Sequence, residues 1–290
     1  MTPDHAQSPA TDIFGRISGS YDRLTAAEKR VADYVLDNRG QVQFLSITQL
    51  AEACGTAEAT VSRFCRRLGV KGYGSFKLAL AEAGAMYRSS VELRQEVNFD
   101  QLSTLYQRLL AQNQEAMRQT LELLAPDAVL RGARVLQQAR RVYCMGQGGS
   151  MIMAQEAAHL FSTVSANFFS VPDSHEQMIT AALLAPEDAL LFFCYSGSTK
   201  EVLDVLRHAN QIRAKVVLVT RFPRSPAASH ADVVLVCGSN EGALQPGSVP
   251  AQVAQLTVLD ILFHTYFGLD RERCGKNREQ VARLLAEKHI

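Results

Sequence analysis

Five short apolar runs, Val142 to Met145, Asn167 to Val171, Ala189 to Cys194, Val216 to Thr220 and Val233 to Cys237, alternate with helical stretches in the second half of the chain. Each run is apolar at successive positions rather than at every second one, so both faces of its strand must be covered. Strands buried on both faces and separated by helices restrict this region to a doubly wound, five-stranded parallel sheet. Helical patterns at Ala251 to Phe267 and Asn277 to Glu287 follow the last run.

The first part of the chain has a different period. From Ile13 to about Tyr87 the apolar residues recur at helical spacing with no alternating run, which predicts an all-helical domain. A length of 290 residues is ample for two domains. The expected organisation is a helix-turn-helix domain at 11–87, a helical linker at 88–125, an α/β domain at 126–270 and a C-terminal helix at 271–290. Within the linker, Leu102, Leu105, Tyr106, Leu109, Leu110, Met117, Leu121 and Leu124 trace a long amphipathic helix, preceded by a connecting segment at Arg88 to Phe99.

Two capping boxes place the early helices. Thr25-Ala-Ala-Glu28 opens one that ends near Asn38 and Gly40, and Ser46-Ile-Thr-Gln49 opens a short one that stops at Gly55. A tight turn through Thr56 and Ala57 leads into a third helix ending at Gly69. Short helix, turn and helix is the arrangement that presents a reading helix to the major groove. Val61, Phe64, Cys65 and Leu68 form the inner stripe of the third helix, while Ala59, Ser62, Arg63 and Arg66 share its outer face. The net charge of the whole chain is only +1, yet Glu58 to Lys77 holds five basic residues (Arg63, Arg66, Arg67, Lys71, Lys77) against one acidic residue. Basic charge is concentrated where DNA contact is expected.

The segments LTAAEKRVADYVLDN and LSITQLAEACGTAEATVSRFCRRLGVKGYGSFKLAL, from Leu24 to about Ala81, resemble the helix-turn-helix domain of RpiR-type regulators. Thr60, Val61, Ser62, Arg63, Phe64, Cys65, Arg66, Leu68 and Gly69 match the family's recognition segment, followed by Gly72, Tyr73, Phe76 and Lys77. The resemblance implies double-stranded operator DNA as a partner and Thr60, Ser62, Arg63, Arg66, Arg67, Lys71, Tyr73 and Lys77 as DNA-binding residues. Ala57 departs from the family, which places a serine cap there; Thr56 or a backbone shift is expected to compensate for a lost cap worth roughly 1 kcal/mol.

In the α/β region the first strand runs into Gly146-Gln-Gly-Gly-Ser150, a turn that opens a helix and suits an anion. The sixth position of a dinucleotide fingerprint is Met151 rather than glycine or alanine, which argues against a nicotinamide cofactor. The third strand ends in Cys194-Tyr-Ser-Gly-Ser-Thr-Lys200, where Ser196, Ser198 and Thr199 surround Gly197 at a second helix start. Both turns leave the carboxyl ends of parallel strands, so they can converge on one crevice.

Leu136 to Phe267 is similar to a SIS (sugar isomerase) domain through CYSGSTKEV, through Ser225-Pro226 followed by Ala231 to Leu235, and through AQLTVLDILF at Ala254 to Phe263. This resemblance implies a phosphorylated sugar effector held at Gly148, Ser150, Ser196, Gly197, Ser198 and Thr199, with Glu241 and His175 near the sugar hydroxyls. Pro250 and Ala251 stand where the family often carries Ser-Arg.

The implied function is a transcriptional regulator of carbohydrate metabolism, without catalytic residues, cofactor or metal, acting as a homodimer or homotetramer on an inverted-repeat operator. The alternative is a sugar-phosphate isomerase with an appended helical domain, in which Glu241 would be the base. Six cysteines form no C-x-x-C pair and have no histidine at zinc-ligand spacing. Cys144, Cys194 and Cys237 close strand-like runs and are expected to be buried thiols. The longest apolar run, near Ala189 to Tyr195, falls far short of the roughly 18 residues of a membrane span. Met1 to Asp12 lacks an apolar signal-peptide core, so a cytoplasmic location is expected.

Overall fold

The computed structural model describes residues 13–92, 102–239 and 248–288. The chain divides into two compact units, with the described residues through Leu102 in the first and those from Ser103 onward in the second.

The first unit contains α1 (Ile13–Ser20), α2 (Ala26–Asp37), α3 (Ile47–Ala53), α4 (Glu58–Arg67) and α5 (Tyr73–Glu92). Both capping boxes form: Thr25 and Glu28 at α2, and Ser46 and Gln49 at α3, exchange side-chain and backbone hydrogen bonds. Gly55 (φ 59°) and Gly69 (φ 78°) end the two helices of the motif in the left-handed conformation that glycine adopts without strain. Ile17, Val31, Val35, Leu50, Val61, Phe64 and Phe76 make the core, with Phe64 meeting Phe76 edge to face at 5.7 Å. The α3–turn–α4 geometry therefore rests on one apolar seam.

The second unit contains α6 (Leu102–Leu123), α7 (Pro126–Gln138), β1 (Val142–Gly146), α8 (Gly149–Ser162), β2 (Phe168–Ser170), α9 (Ser174–Ala182), β3 (Ala189–Phe193), α10 (Lys200–Ile212), β4 (Lys215–Thr220), β5 (Val233–Val236), α11 (Val249–Leu269) and α12 (Arg271–Ala286). The five strands are all parallel, in the order β2-β1-β3-β4-β5. Alternate residues enter two cores. Cys144, Leu191, Val217 and Leu235 join α7, α8 and α11 on one face, while Met145, Leu190, Phe192 and Leu218 pack with α10 on the other. The order reverses between β1 and β3, and their carboxyl ends are neighbours because Gly146 pairs with Phe193. Open α/β sheets place their ligand crevice at such a reversal point.

The long amphipathic helix forms, but its C-terminal half is part of the second unit rather than a free connector: Ala116 and Thr120 are buried. The connecting segment expected at Arg88 to Phe99 is helical as far as Glu92; residues 93–101 lie outside those described.

Candidate functional site: an anion crevice and a reading helix

Two helices start at the crevice, and neither is capped by a side chain. Gly148 precedes α8 at φ 55°, ψ −128°, and Thr199 precedes α10 without a cap hydrogen bond. By contrast, Asp173 caps α9 and Ser248 caps α11. At α8 the Ser150 and Met151 N–H groups turn back on the Gln147 and Gly148 carbonyls at 3.1 and 3.0 Å, whereas the first-turn N–H groups of α10 lack a side-chain cap, and both helix dipoles favour an anion.

Crowding sets the shape of both turns. A Cβ on Gly146 would lie 2.6 Å from the Ser150 carbonyl oxygen, and one on Gly197 would lie 2.0 Å from Ser225 Oγ. Gly197 also has φ 62° and donates its N–H to the Cys194 carbonyl at 3.2 Å, which curls the serine loop back over β3. The Ala227 N–H donates to the Gly197 carbonyl at 2.9 Å, so the Ser225-Pro226 turn supports the loop from behind.

The four hydroxyls are not equivalent. Ser150 is buried and donates to Gln255 Oε1 at 3.2 Å, and Ser198 donates to the Ser196 carbonyl at 3.1 Å. Ser196 Oγ accepts from the Ser198 N–H at 3.3 Å, and Thr199 Oγ1 makes a long 3.9 Å contact with the Cys194 thiol. Ser196 and Thr199 both place their hydroxyls beside the buried Cys194 sulfur, the acceptor they have within the loop. A phosphate would have to displace only the weak sulfur acceptor at Ser196 and Thr199, but would have to compete with the Gln255 amide oxygen for Ser150. His175 is exposed on the first turn of α9, its backbone N–H bonded to Asp173, so the capping residue there is Asp173. Glu241 lies outside the described residues.

The end of β5 ties the serine loop to α6. Tyr195 Oη and Arg221 Nε each donate to the Ser239 carbonyl at 2.8 Å. On the other side, the Ser239 N–H donates to Gln119 Oε1 at 3.1 Å and the Gly238 N–H to Thr120 Oγ1 at 2.9 Å. Ser239 is held at φ 78°, a conformation a serine keeps only when its surroundings impose it. Gly238 has no room for a side chain, since a Cβ there would lie 2.5 Å from the Thr120 nitrogen. None of these partners was foreseen from sequence, because they lie 18 to 120 residues apart along the chain.

In the first unit α4 presents Arg63 and Arg66 outward, with Ser62 half-buried beside them and Lys71 exposed just beyond the helix. Thr60 supports that face from beneath, whereas Arg67 and Tyr73 are tied to other parts of the unit. Thr60 is 7% exposed, and its Oγ1 accepts a hydrogen bond from the Arg63 guanidinium at 3.4 Å. Arg67 pairs with Glu28 at 3.2 Å and donates to the Arg23 carbonyl at 2.8 Å, while Tyr73 Oη donates to the Leu45 carbonyl at 3.0 Å. Lys77 is half-buried on α5. Burial opposes the charge of Glu28, but hydrogen bonds from Thr25 and the Arg67 guanidinium outweigh it and hold the carboxyl below its usual pKa. Nor does Thr56 replace the missing cap at Ala57, since its hydroxyl is buried without a partner. Glu58 in the first turn serves instead through the dipole, and it accepts the Thr48 hydroxyl at 2.6 Å.

All six cysteines are free and buried, and burial, opposed by a backbone hydrogen bond, pushes Cys65 up to about 12. Among the described residues no cluster of three or more His, Cys, Asp or Glu side chains could hold a metal ion, and no helix is long and apolar enough to cross a membrane.

A helix-turn-helix unit joined to a doubly wound unit with a ligand crevice defines a transcriptional regulator with a SIS domain. Residues 11–86 match the helix-turn-helix domain of the rpiR family, and residues 135–265 match the SIS domain. An HTH-type transcriptional regulator of Caldanaerobacter subterraneus is 31% identical over 255 residues, 87% of this chain and 89% of its own length. HexR of Pseudomonas aeruginosa, also an HTH-type transcriptional regulator, is 31% identical over 252 residues, 87% of each chain. The NanR protein of Vibrio vulnificus, solved in complex with ManNAc-6P, superposes with a TM-score of 0.84 at 26% identity, covering 96% of this chain and all of that one. The chain belongs to the RpiR family of transcriptional regulators.

Proposed function

We propose that this regulator binds operator DNA through α4 and that a phosphorylated sugar in the β1/β3 crevice controls that binding. The observation that carries the reading is the pair of helix starts without side-chain caps at the β1/β3 reversal, with the Ser196 and Thr199 hydroxyls beside the second, held only by the Cys194 sulfur. The likeness to NanR, whose solved complex contains ManNAc-6P, supports a phosphosugar as the effector class. On the DNA side, Arg63 and Arg66 suit base edges and phosphates, and Ser62 and Lys71 flank them. Thr60 orients Arg63, while Arg67 and Tyr73 act on the shape of the motif rather than on DNA.

A single short reading helix covers few base pairs, so the regulator acts as a homodimer or homotetramer on an inverted repeat. Exposed Tyr106, Leu110, Met117 and Leu121 along one side of α6 support association with a second copy. Control passes from the serine loop through Tyr195 to Ser239, and from Ser239 and Gly238 to Gln119 and Thr120 of α6. A ligand that reshapes the serine loop thereby moves the helix that leads toward the DNA-binding unit. Its role is regulatory rather than catalytic.

The test is a thermal-shift screen with phosphorylated sugars, run beside a salt-dependent DNA shift assay and an aldose–ketose isomerase assay. A sugar present at 100 times its Kd should stabilise the protein by about 2.7 kcal/mol. Turnover without any DNA shift would favour the isomerase reading and overturn this one.

A further inference from the structure

We infer that Gln147 is a specificity-determining residue of the crevice, binding a hydroxyl of the sugar while the serine loop binds its phosphate; this rests on the phosphosugar reading above. Gln177 on α9 is fully buried, and its Nε2 donates to the Gly146 carbonyl at 3.0 Å and to the Val171 carbonyl at 2.8 Å. Both of its N–H groups are used on carbonyls, which can only accept, so the amide has one orientation and turns its Oε1 toward Gln147. Gln147 answers by donating Nε2 to that oxygen at 2.9 Å. One N–H and the carbonyl oxygen of the Gln147 amide then remain for something else.

The root of this side chain is fixed as well. Gly148 holds φ 55°, and a side chain on Gly146 would collide with the Ser150 carbonyl, so the loop on either side of Gln147 has little freedom. The Gln147 backbone carbonyl accepts the Ser150 N–H at 3.1 Å. Gln147 is half-buried and is the first residue after β1, next to the strand that runs into Cys194 to Thr199. It stands at the edge of the same crevice as the serine loop and on the side of α9.

An acceptor oxygen fixed by a buried partner suits an incoming O–H and disfavours a phosphate oxygen, which can only accept at full ionisation. The phosphate therefore belongs with the donors of the α10 start, and the Gln147 amide with a neutral, hydroxyl-bearing carbon of the sugar. A site built to bond a hydroxyl rejects analogues that lack it, because its own polar group is then left unpaired. Gln147 thus selects among phosphosugars where the serine loop accepts any of them.

Calorimetric titrations of the full chain with inorganic phosphate and with a panel of hexose and N-acetylhexosamine 6-phosphates separate the two parts. Wild type is expected to bind at least one panel member more tightly than inorganic phosphate. Gln147→Met keeps the length of the stem and removes the amide; it should weaken that phosphosugar about tenfold and leave inorganic phosphate within about twofold. Gln147→Asn, too short to reach Gln177 and the ligand together, should show the same selective loss. Melting curves of both variants verify that the protein titrated is folded. Equal losses for phosphate and phosphosugar would make Gln147 a loop-shaping residue and overturn the inference, as would no loss at all. Wild type that binds phosphate but no panel member more tightly would overturn the inference and leave the anion crevice standing. Wild type that binds neither would overturn the phosphosugar reading itself, and this inference with it.

Discussion

Replacing Gly197 with alanine tests the serine loop at its most crowded point. Gly197 sits at φ 62°, where an L-residue pays roughly 1–2 kcal/mol. The new Cβ would lie 2.0 Å from Ser225 Oγ and 2.3 Å from Ser225 Cβ, and Thr220 Oγ1 is 3.3 Å away on the other side. Ser225 is 2% exposed and cannot swing into solvent, so the overlap adds roughly 1–3 kcal/mol of overpacking. The two effects together centre on about 3 kcal/mol, equivalent to a fall of about 6–12 °C in the melting temperature of a unit this size. Scanning calorimetry of Gly197→Ala, Ser225→Gly and the double variant separates the two contributions. Removing the Ser225 side chain relieves the overlap but not the backbone strain, so the double variant should recover at least about 1 kcal/mol relative to additivity. Gly197→Ala as stable as wild type would refute this account of why the loop needs glycine.

Other substitutions probe the remaining links. Ser196→Ala combined with Thr199→Ala should abolish the phosphosugar response in a DNA shift assay while basal operator affinity stays intact. Thr120→Val keeps its shape but leaves the buried Gly238 N–H without its acceptor, so it should cost about 1–3 kcal/mol in denaturant titrations and weaken the coupling between sugar and operator. Arg63→Ala should weaken operator binding by about 1–3 kcal/mol and relax base preference, whereas Arg67→Ala should show its larger effect on stability, read by melting, because Arg67 is tied to Glu28. The pKa of Glu28 is lowered in the folded state, so its stabilising contribution is complete above the ordinary carboxylate pKa of about 4.3 and is lost as pH falls through the lowered value. Glu28→Gln should accordingly flatten the acid limb of stability against pH, measured by urea midpoints.

Features encoded by neighbours along the chain were readable in the sequence. Thr25 with Glu28 and Ser46 with Gln49 lie three residues apart and form the boxes expected of them. The five apolar runs became five parallel strands, with ends shifted by a residue or two where pairing stops, as at Phe168–Ser170 for the run from Asn167 to Val171. The outer and inner faces of α4 likewise follow from its period. What sequence does not reveal is which polar group spends its hydrogen bonds on a distant part of the chain. Arg67 is drawn from the basic cluster by Glu28, and Tyr73 by the Leu45 carbonyl. Ser150 looks equivalent to Ser196 in the sequence, yet its proton goes to Gln255, 105 residues away. Gln177, Gln119 and Ser239 carry no motif at all, and Gln147 is the unremarked residue of the glycine turn, since their importance arises only when the sheet brings strand ends and helices together.

Operator-dependent sugar binding tests the central claim most directly. The effector sugar is titrated calorimetrically into the protein alone and into the protein saturated with an operator selected from random duplex DNA. Linkage requires the operator to change the Kd of the sugar by the factor through which the sugar changes operator affinity, about 5- to 150-fold for a coupling of 1–3 kcal/mol. A shift within that range, reduced in Thr120→Val, is the expected result. Equal dissociation constants with and without operator would contradict control of DNA binding from the crevice.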